Sequence, residues 1–319
     1  AGGTDAADAD RHPGRGGVTR LTNALNLPAA IVNAIANDGY SRDGADLSVS
    51  QLIAPPRKVE LERRHADELV EDASDRIWAL VGQAVHEILR RSETDALTET
   101  RLFIRSFDSA GRPWMVSGAF DRLACTHAVL ADYKVTSVWA VKNGYKIEWE
   151  QQVNTYAFML RMHGYWVDRL QIVAILRDWR KSEALKYPNS YPNHQVAVID
   201  LPMWTDEQCH AFVRDRVEAH RAARETLPLC TDDERWGKPT TYAVMKDGAQ
   251  KALKVCETQA EAEAFIAEKA KSPKAKMDIL RVDVRPGEFL RCTGYCAAAP
   301  FCSQYQDEMK GKLRLTAYG

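Results

Sequence analysis

Apolar positions along the chain change period several times, and each change marks an element. In "EDASDRIWALVGQAVHEILRRS" (71–92), Ile77, Leu80, Val81, Val85, Ile88 and Leu89 recur at three- and four-residue spacing, which predicts an amphipathic helix. The same period in "TRLTNALNLPAAIVNAIAND" (19–38), through Leu21, Leu25, Ile31, Val32 and Ile35, predicts a helix upstream. Between them Ser50 is placed to cap a short helix that the Pro55-Pro56 pair stops. Then the period shortens. "ETRLFIRSF" alternates polar and apolar, "SAGR" reads as a turn, and "PWMVSGAFDRL" and "AVLADYKVTS" complete an antiparallel meander. "EWEQQVNTYAFMLRMHG" (148–164) returns to helical spacing and stops at Gly164. "RLQIVAILRDW" is an apolar strand, and 205–226 is another helix, rich in Arg and His. Helix, three strands, helix, strand, helix is an α/β layer with a mixed central sheet flanked by helices.

Downstream the pattern restarts. "TTYAVMKDGAQKALKVCET" predicts a hairpin turning at Asp247-Gly248, "QAEAEAFIAEKAK" a helix and "MDILRVDVRPGE" a strand, together a small inserted ββαβ module. The expected divisions are a disordered leader (1–20), a core (21–230), the inserted module (231–288) and a cysteine-bearing C-terminal segment (289–319). The 319 residues, 45% hydrophobic and 27% charged, allow a sizeable core. A net charge of −1 rules out a polycation, so any nucleic-acid surface must be local. No apolar run reaches the roughly 18 residues a bilayer requires. The Gly-rich start lacks the apolar stretch of a signal peptide, which places the protein in the cytoplasm as an expectation.

The chemistry concentrates in "GAFDRLACTHAVLADYKVTS" (118–137). Residues i and i+2 of a strand share a face, so Asp132 and Lys134 project together and Tyr133 points away. A tight connection through "LACTHAV" can set Asp121 beside Asp132. Two carboxylates facing each other repel unless a positive charge stands between them, and a divalent cation such as Mg²⁺ is one solution. The plain alternative is a surface Asp-x-Lys ion pair. Two helical i, i+4 pairs add weight to the first reading: Gly82 with His86, where the glycine allows close approach to another backbone, and Gln152 with Tyr156. Glu99 is a further acid of unknown direction. Glu148 and Glu150 fit a solvated helix start.

In order, Gly82-x-x-x-His86, Gly118-x-x-Asp121, Asp132-Tyr133-Lys134 and Gln152-x-x-x-Tyr156 resemble the motif series of the RecB-type branch of the PD-(D/E)XK nucleases, which includes the RecB and AddB nuclease domains and CRISPR-adaptation nucleases. The resemblance runs from about residue 47 to 180. It implies a restriction-endonuclease-like core with His86, Asp121, Asp132 and the Tyr133 backbone carbonyl as Mg²⁺ or Mn²⁺ ligands. It further implies Lys134 as the catalytic lysine, with Gln152 and Tyr156 supporting it. The implied activity is metal-dependent hydrolysis of DNA, as an exonuclease on single strands or duplex ends, in phage or bacterial recombination and repair. A non-catalytic nucleic-acid-binding protein on the same fold, or a zinc-dependent regulator, are the alternatives.

Seven cysteines in a reducing compartment argue against a disulfide framework. Cys292, Cys296 and Cys302 crowd one Gly- and Pro-punctuated loop, which suits a soft metal or an iron–sulfur cluster. Cys230, at the other end of the insertion, is the chosen fourth ligand. Cys256 fits a core, and Cys125 and Cys209 read as small hydrophobes. Several members of the resembling family carry a [4Fe–4S] cluster on four cysteines, three of them near the C-terminus. They place the first one upstream of the motif histidine, where this chain has none. Structural Zn²⁺ is the alternative. For DNA contact, Trp139, Arg177, Trp179, Arg180 and Lys181, with Tyr187, interleave basic and aromatic side chains after the site strands.

Overall fold

The computed structural model describes residues 20–37, 43–142, 144–271 and 279–316, the last six of these by backbone alone. Of the expected leader 1–20, residues 1–19 lie outside the described residues and Arg20 begins a strand. Contacts divide the chain after Pro228 into two units. Among the described residues, no helix is long and apolar enough to cross a membrane.

The first unit begins with β1 (Arg20–Thr22), α1 (Ala29–Ala36), β2 (Leu47–Ser48), α2 (Val49–Ile53), α3 (Pro56–Arg64) and β3 (Val70–Asp72). The helix expected over 19–38 is therefore shorter. Pro28 stands at its N-cap, and the residues before form a strand paired parallel with β3. The cap of α2 is Ser48, not Ser50. Its hydroxyl accepts from the Gln51 N–H while Gln51 returns a bond to the Ser48 N–H, a reciprocal capping box. The Pro55-Pro56 pair also opens a helix, because proline at the first helical position lacks only an N–H that would be unpaired there.

Next come α4 (Ile77–Ser92), β4 (Leu97–Phe107), β5 (Pro113–Ala124), β6 (Val129–Thr136), α5 (Ile147–Met162), β7 (Arg169–Leu176), α6 (Lys181–Lys186), β8 (Val196–Leu201) and α7 (Asp206–Glu225). The six-stranded sheet runs β2-β5-β6-β7-β8, with β4 also on β5. It is mixed: β6 and β7 are parallel, and β4–β5, β5–β6 and β7–β8 are antiparallel. The central α/β architecture is the expected one, with β8 and α6 added between β7 and α7.

The core lies between the sheet and helices α2, α5 and α7, through Leu52, Phe120, Leu130, Val153, Met159, Ile172 and Val217. Helix α5 carries an unbroken buried run from Val153 to Leu160, so it is covered on nearly every side. Its one buried amide, Asn154, donates to the carbonyls of Glu150 and Pro202 and accepts from the Trp204 N–H. Burial without those partners would be costly. Helix α4 contributes no fully buried residue.

One edge of β5 decides where the site lies. Its Val116 and Ser117 pair with β2, and Arg122 to Ala124 pair with β6. Residues 118–121 fall between those two ladders, so β5 and β6 part just where Asp121 and Asp132 would form the next rung.

The second unit holds β9 (Gly237–Lys238), β10 (Thr241–Lys246), β11 (Lys254–Cys256), α8 (Gln259–Ala270), β12 (Leu280–Arg285), β13 (Glu288–Phe289), α9 (Leu290–Gly294) and α10 (Ser303–Thr316). The sheet order β11-β10-β12 with α8 packed on Val244 and Cys256 is a ββαβ module, and Gly248 takes φ +73° at its turn. The β9–β13 pair closes the base of the module. The module and the cysteine segment fall in one unit, and Cys230 belongs to it.

Candidate active site

Strands and helices deliver the site side chains from four directions. Asp121 comes from the parted edge of β5, Asp132 and Lys134 from β6, His86 from α4, and Gln152 and Tyr156 from α5. With the β5–β6 ladder interrupted, the Tyr133 N–H turns to the Asp121 side chain and donates to Oδ2 at 2.6 Å. His86 Nδ1 stands 3.5 Å from Asp121 Oδ1, and Nε2 lies 3.2 Å from the Tyr133 carbonyl oxygen. Both Asp121 and Asp132 are almost buried, at 8% and 2% exposure.

Glu99 joins them. It falls opposite Asp121 between the rungs that pair Thr98 with Arg122 and Thr100 with Phe120, and the β4–β5 ladder skips the Glu99–Asp121 pair itself. Its φ of +46° is a left-handed conformation inside a strand, of a kind that costs on the order of 1–3 kcal/mol and gathers at functional sites. Its carboxylate is 3.4 Å from His86 Nδ1. Among the described residues, His86, Glu99 and Asp121 form a group whose ligand atoms all lie within 4.8 Å of one another. Sequence alone left the direction of Glu99 open, because strand alternation gives a face only after the register with β5 is known.

The acids dominate the electrostatics. The Asp121 carboxylate, then that of Glu99, raises the His86 pKa to about 10, so His86 is an imidazolium with both N–H groups aimed at oxygen. Asp132 is pushed the other way for a carboxyl: burial raises its pKa to about 6, against the pull of Lys134. Lys134 Nζ lies 2.5 Å from the buried Asp132 Oδ2, a close ion pair. Lys134 is held from the other side by Gln152 Oε1 at 2.9 Å, and Gln152 Nε2 donates to the Tyr156 hydroxyl at 3.2 Å.

This donor set suits a hard divalent cation. The carboxylates of Glu99 and Asp121 converge on the His86 imidazole, with Asp132 on the adjoining strand, and in their present state the compensating charges are an imidazolium and an ammonium. Buried Asp132 Oδ2 has the Lys134 ammonium against it and is an anionic oxygen that a hard cation would share.

Both glycines of the motifs have a physical reading, and they differ. A Cβ on Gly118 would stand 2.6 Å from Tyr156 Cε1, so the bare backbone there is what lets the tyrosine ring lie on β5. Among the described residues, a Cβ on Gly82 would meet nothing within 4 Å. The expectation that Gly82 permits close backbone packing is therefore corrected: open space lies beside it.

Of the residues expected to touch DNA, Trp139 is 70% exposed and Lys142 Nζ sits 4.7 Å above its ring. The Arg177 guanidinium stacks 4.2 Å over exposed Trp78, a partner not foreseen. Arg180 and Lys181 are exposed. Trp179 does not fit a stacking role: its ring packs on the core and its indole N–H donates to the Pro192 carbonyl at 2.7 Å.

In the second unit, Gln304, two residues after Cys302, exchanges two 2.9 Å hydrogen bonds with the Cys230 backbone. Buried Arg235 donates to Cys292 Sγ at 3.4 Å and pairs with Glu308. Cys302 is buried, and Cys230, Cys292 and Cys296 are half-buried.

No protein-family model matches the chain, and no curated protein matches it. Among solved structures, SSO0001 is 16% identical with a TM-score of 0.44, over 61% of this chain and 85% of that one. A phage related exonuclease from Haemophilus somnus 129PT is 12% identical with a TM-score of 0.29, over 47% and 71%. At such identities and scores, nothing about activity transfers from either protein.

Proposed function

We propose that the protein is a metal-dependent nuclease that hydrolyses DNA phosphodiesters, as an exonuclease on single strands or duplex ends. The observation that carries this reading is the parting of β5 from β6 beside the group formed by His86, Glu99 and Asp121, with Asp132 and its Lys134 partner on the adjoining strand. His86, Asp121, Asp132 and the Tyr133 carbonyl, with Glu99, would hold Mg²⁺ or Mn²⁺. A cation so bound offsets phosphate charge and lowers the pKa of a coordinated water. The chain supplies the rest. Lys134, braced by Gln152 and Tyr156, donates to the attacking oxygen or to a phosphoryl oxygen as its charge grows. Arg177 on Trp78, with Trp139, Arg180 and Lys181, offers cationic and flat surface to a nucleic-acid strand.

For the second unit we infer that Cys230, Cys292, Cys296 and Cys302 hold a [4Fe–4S] cluster, with Zn²⁺ as the alternative. Supporting this are the Gln304 bridge, which ties the two ends of the cysteine set, and the buried Arg235 guanidinium, which donates to Cys292 Sγ.

Purified protein is expected to degrade labelled DNA with Mg²⁺ or Mn²⁺ and to stop when EDTA is added. Binding without degradation under any divalent ion would identify a nucleic-acid-binding protein instead. A brown preparation with broad absorption near 400 nm, roughly, marks iron–sulfur, and a colourless one with bound zinc marks the alternative.

A further inference from the structure

Helix α4 keeps a glycine in its middle for no packing reason. Gly82 weakens the helix by about 1 kcal/mol relative to alanine, yet a Cβ there would strike nothing among the described residues. Beside it opens a cleft of about 780 Å³. One wall is a stripe of α4 through Ala79, Gly82, Gln83, His86, Glu87 and Arg90, and the lining also includes Glu99 and Arg101 of β4. His86 and Glu99 also belong to the candidate metal group, so the cleft borders that group. Arg101 is oriented in its wall by Asp43 at 3.0 Å and by Ser117 Oγ at 3.2 Å.

We propose that this cleft receives a single nucleic-acid strand, and that Gly82 is left bare so the strand can lie against the helix on its way to the metal group. The assignment rests on the nuclease reading for its direction. Four residues separate Gly82 from His86, about 6 Å along the helix, close to one nucleotide of an extended strand. The volume lies in the range of about 300–1,000 Å³ that takes one drug-sized ligand. One or two nucleotides fill it, and the strand enters it unpaired. Arg101 meets a backbone phosphate there, and Gln83 can hydrogen-bond a sugar or base edge. Duplex ends are therefore acted on only after fraying.

The test uses Gly82→Leu and Gly82→Gln, two good helix formers. Both should melt no lower than the wild type, because the added side chain enters open space. Binding of a short fluorescein-labelled single-stranded oligonucleotide, in Ca²⁺ to prevent cleavage, should weaken by about tenfold or more in each. The wild type should bind the same sequence as a blunt duplex at least about tenfold more weakly than as a single strand. Undiminished strand binding by either folded variant, or equal wild-type affinity for strand and duplex, overturns the proposal. Strand binding that falls in the variants while the wild type never hydrolyses DNA would sink the nuclease reading and leave the cleft assignment standing.

Discussion

Asp132→Asn and Lys134→Met are each expected to lower the rate of DNA hydrolysis by roughly 10²–10⁴-fold, the range seen when a general-base or charge-stabilising group is removed. The two changes should separate in their effect on stability. Asp132 titrates at about 6 in the folded protein, raised from 3.8 chiefly by burial. The native state thus holds this proton more tightly than the unfolded chain does. Its contribution to stability is greatest below pH 3.8 and is lost as the pH rises through 6. At neutral pH the buried anion weakens the metal-free fold by about 1–3 kcal/mol. Asparagine cannot ionise, so Asp132→Asn should melt above the wild type at neutral pH, with the gap closing toward about pH 4. Mn²⁺ should raise the melting temperature of the wild type and leave the variant unmoved, since only a ligand of the native state stabilises it. Lys134→Met strips Asp132 of its nearest cation and should melt lower than the wild type. Hydrolysis at the wild-type rate in both variants would place the activity elsewhere or in a contaminant.

That a gain in stability should accompany loss of function follows from how the site is built. Burial of Asp132, the left-handed Glu99 and the bare Gly82 each weaken the fold locally, and the last two line the same cleft. Two of them carried a signal in the sequence. Gly82 interrupts a helical period that alanine would serve better, and Asp132 stands in a strand whose neighbours are apolar. Glu99 gave none, because its placement depends on a cross-strand register set by the turn after Phe107, eight residues away.

The same distinction explains which elements were legible. α4, α5 and α7 are long enough for their period to outweigh local noise, and β4 to β7 alternate or run apolar over at least eight residues. β2 has two residues and exists only because β5 offers an edge beyond the reach of β6. The helix expected from residue 19 failed because apolar spacing was followed across Pro28, where the chain takes φ −55° and ψ 142° before turning helical. β8 alternates in "VAVIDL" and could have been found. The reciprocal Ser48–Gln51 cap was also readable, since serine followed three residues later by glutamine is its signature.

Gly118→Ala is expected to damage the fold and the chemistry together, although it adds one methyl group. Gly118 has no left-handed φ, so the effect is purely steric. The new carbon would stand 2.6 Å from Tyr156 Cε1 and 2.7 Å from Val49 Cγ2, inside contact distance on both sides. Neither neighbour can retreat easily: Tyr156 lies within the buried run of α5, and Val49 is 1% exposed. Overpacking of this kind costs about 1–3 kcal/mol, a drop of roughly 2–12 °C in melting temperature for a unit of this size. The ring must also shift, and its hydroxyl is the group that receives the Gln152 amide, which in turn holds Lys134. The rate constant for cleavage should therefore fall by about tenfold or more at saturating substrate, with little change in KM, because Lys134 acts on developing charge and not on binding. Tyr156→Phe separates the two parts. It keeps the ring and removes the hydroxyl, so it should melt close to the wild type and still lose rate. If Gly118→Ala melts and cleaves like the wild type, the tyrosine ring does not lie on β5 as described, and the brace on Lys134 has to come from another side chain.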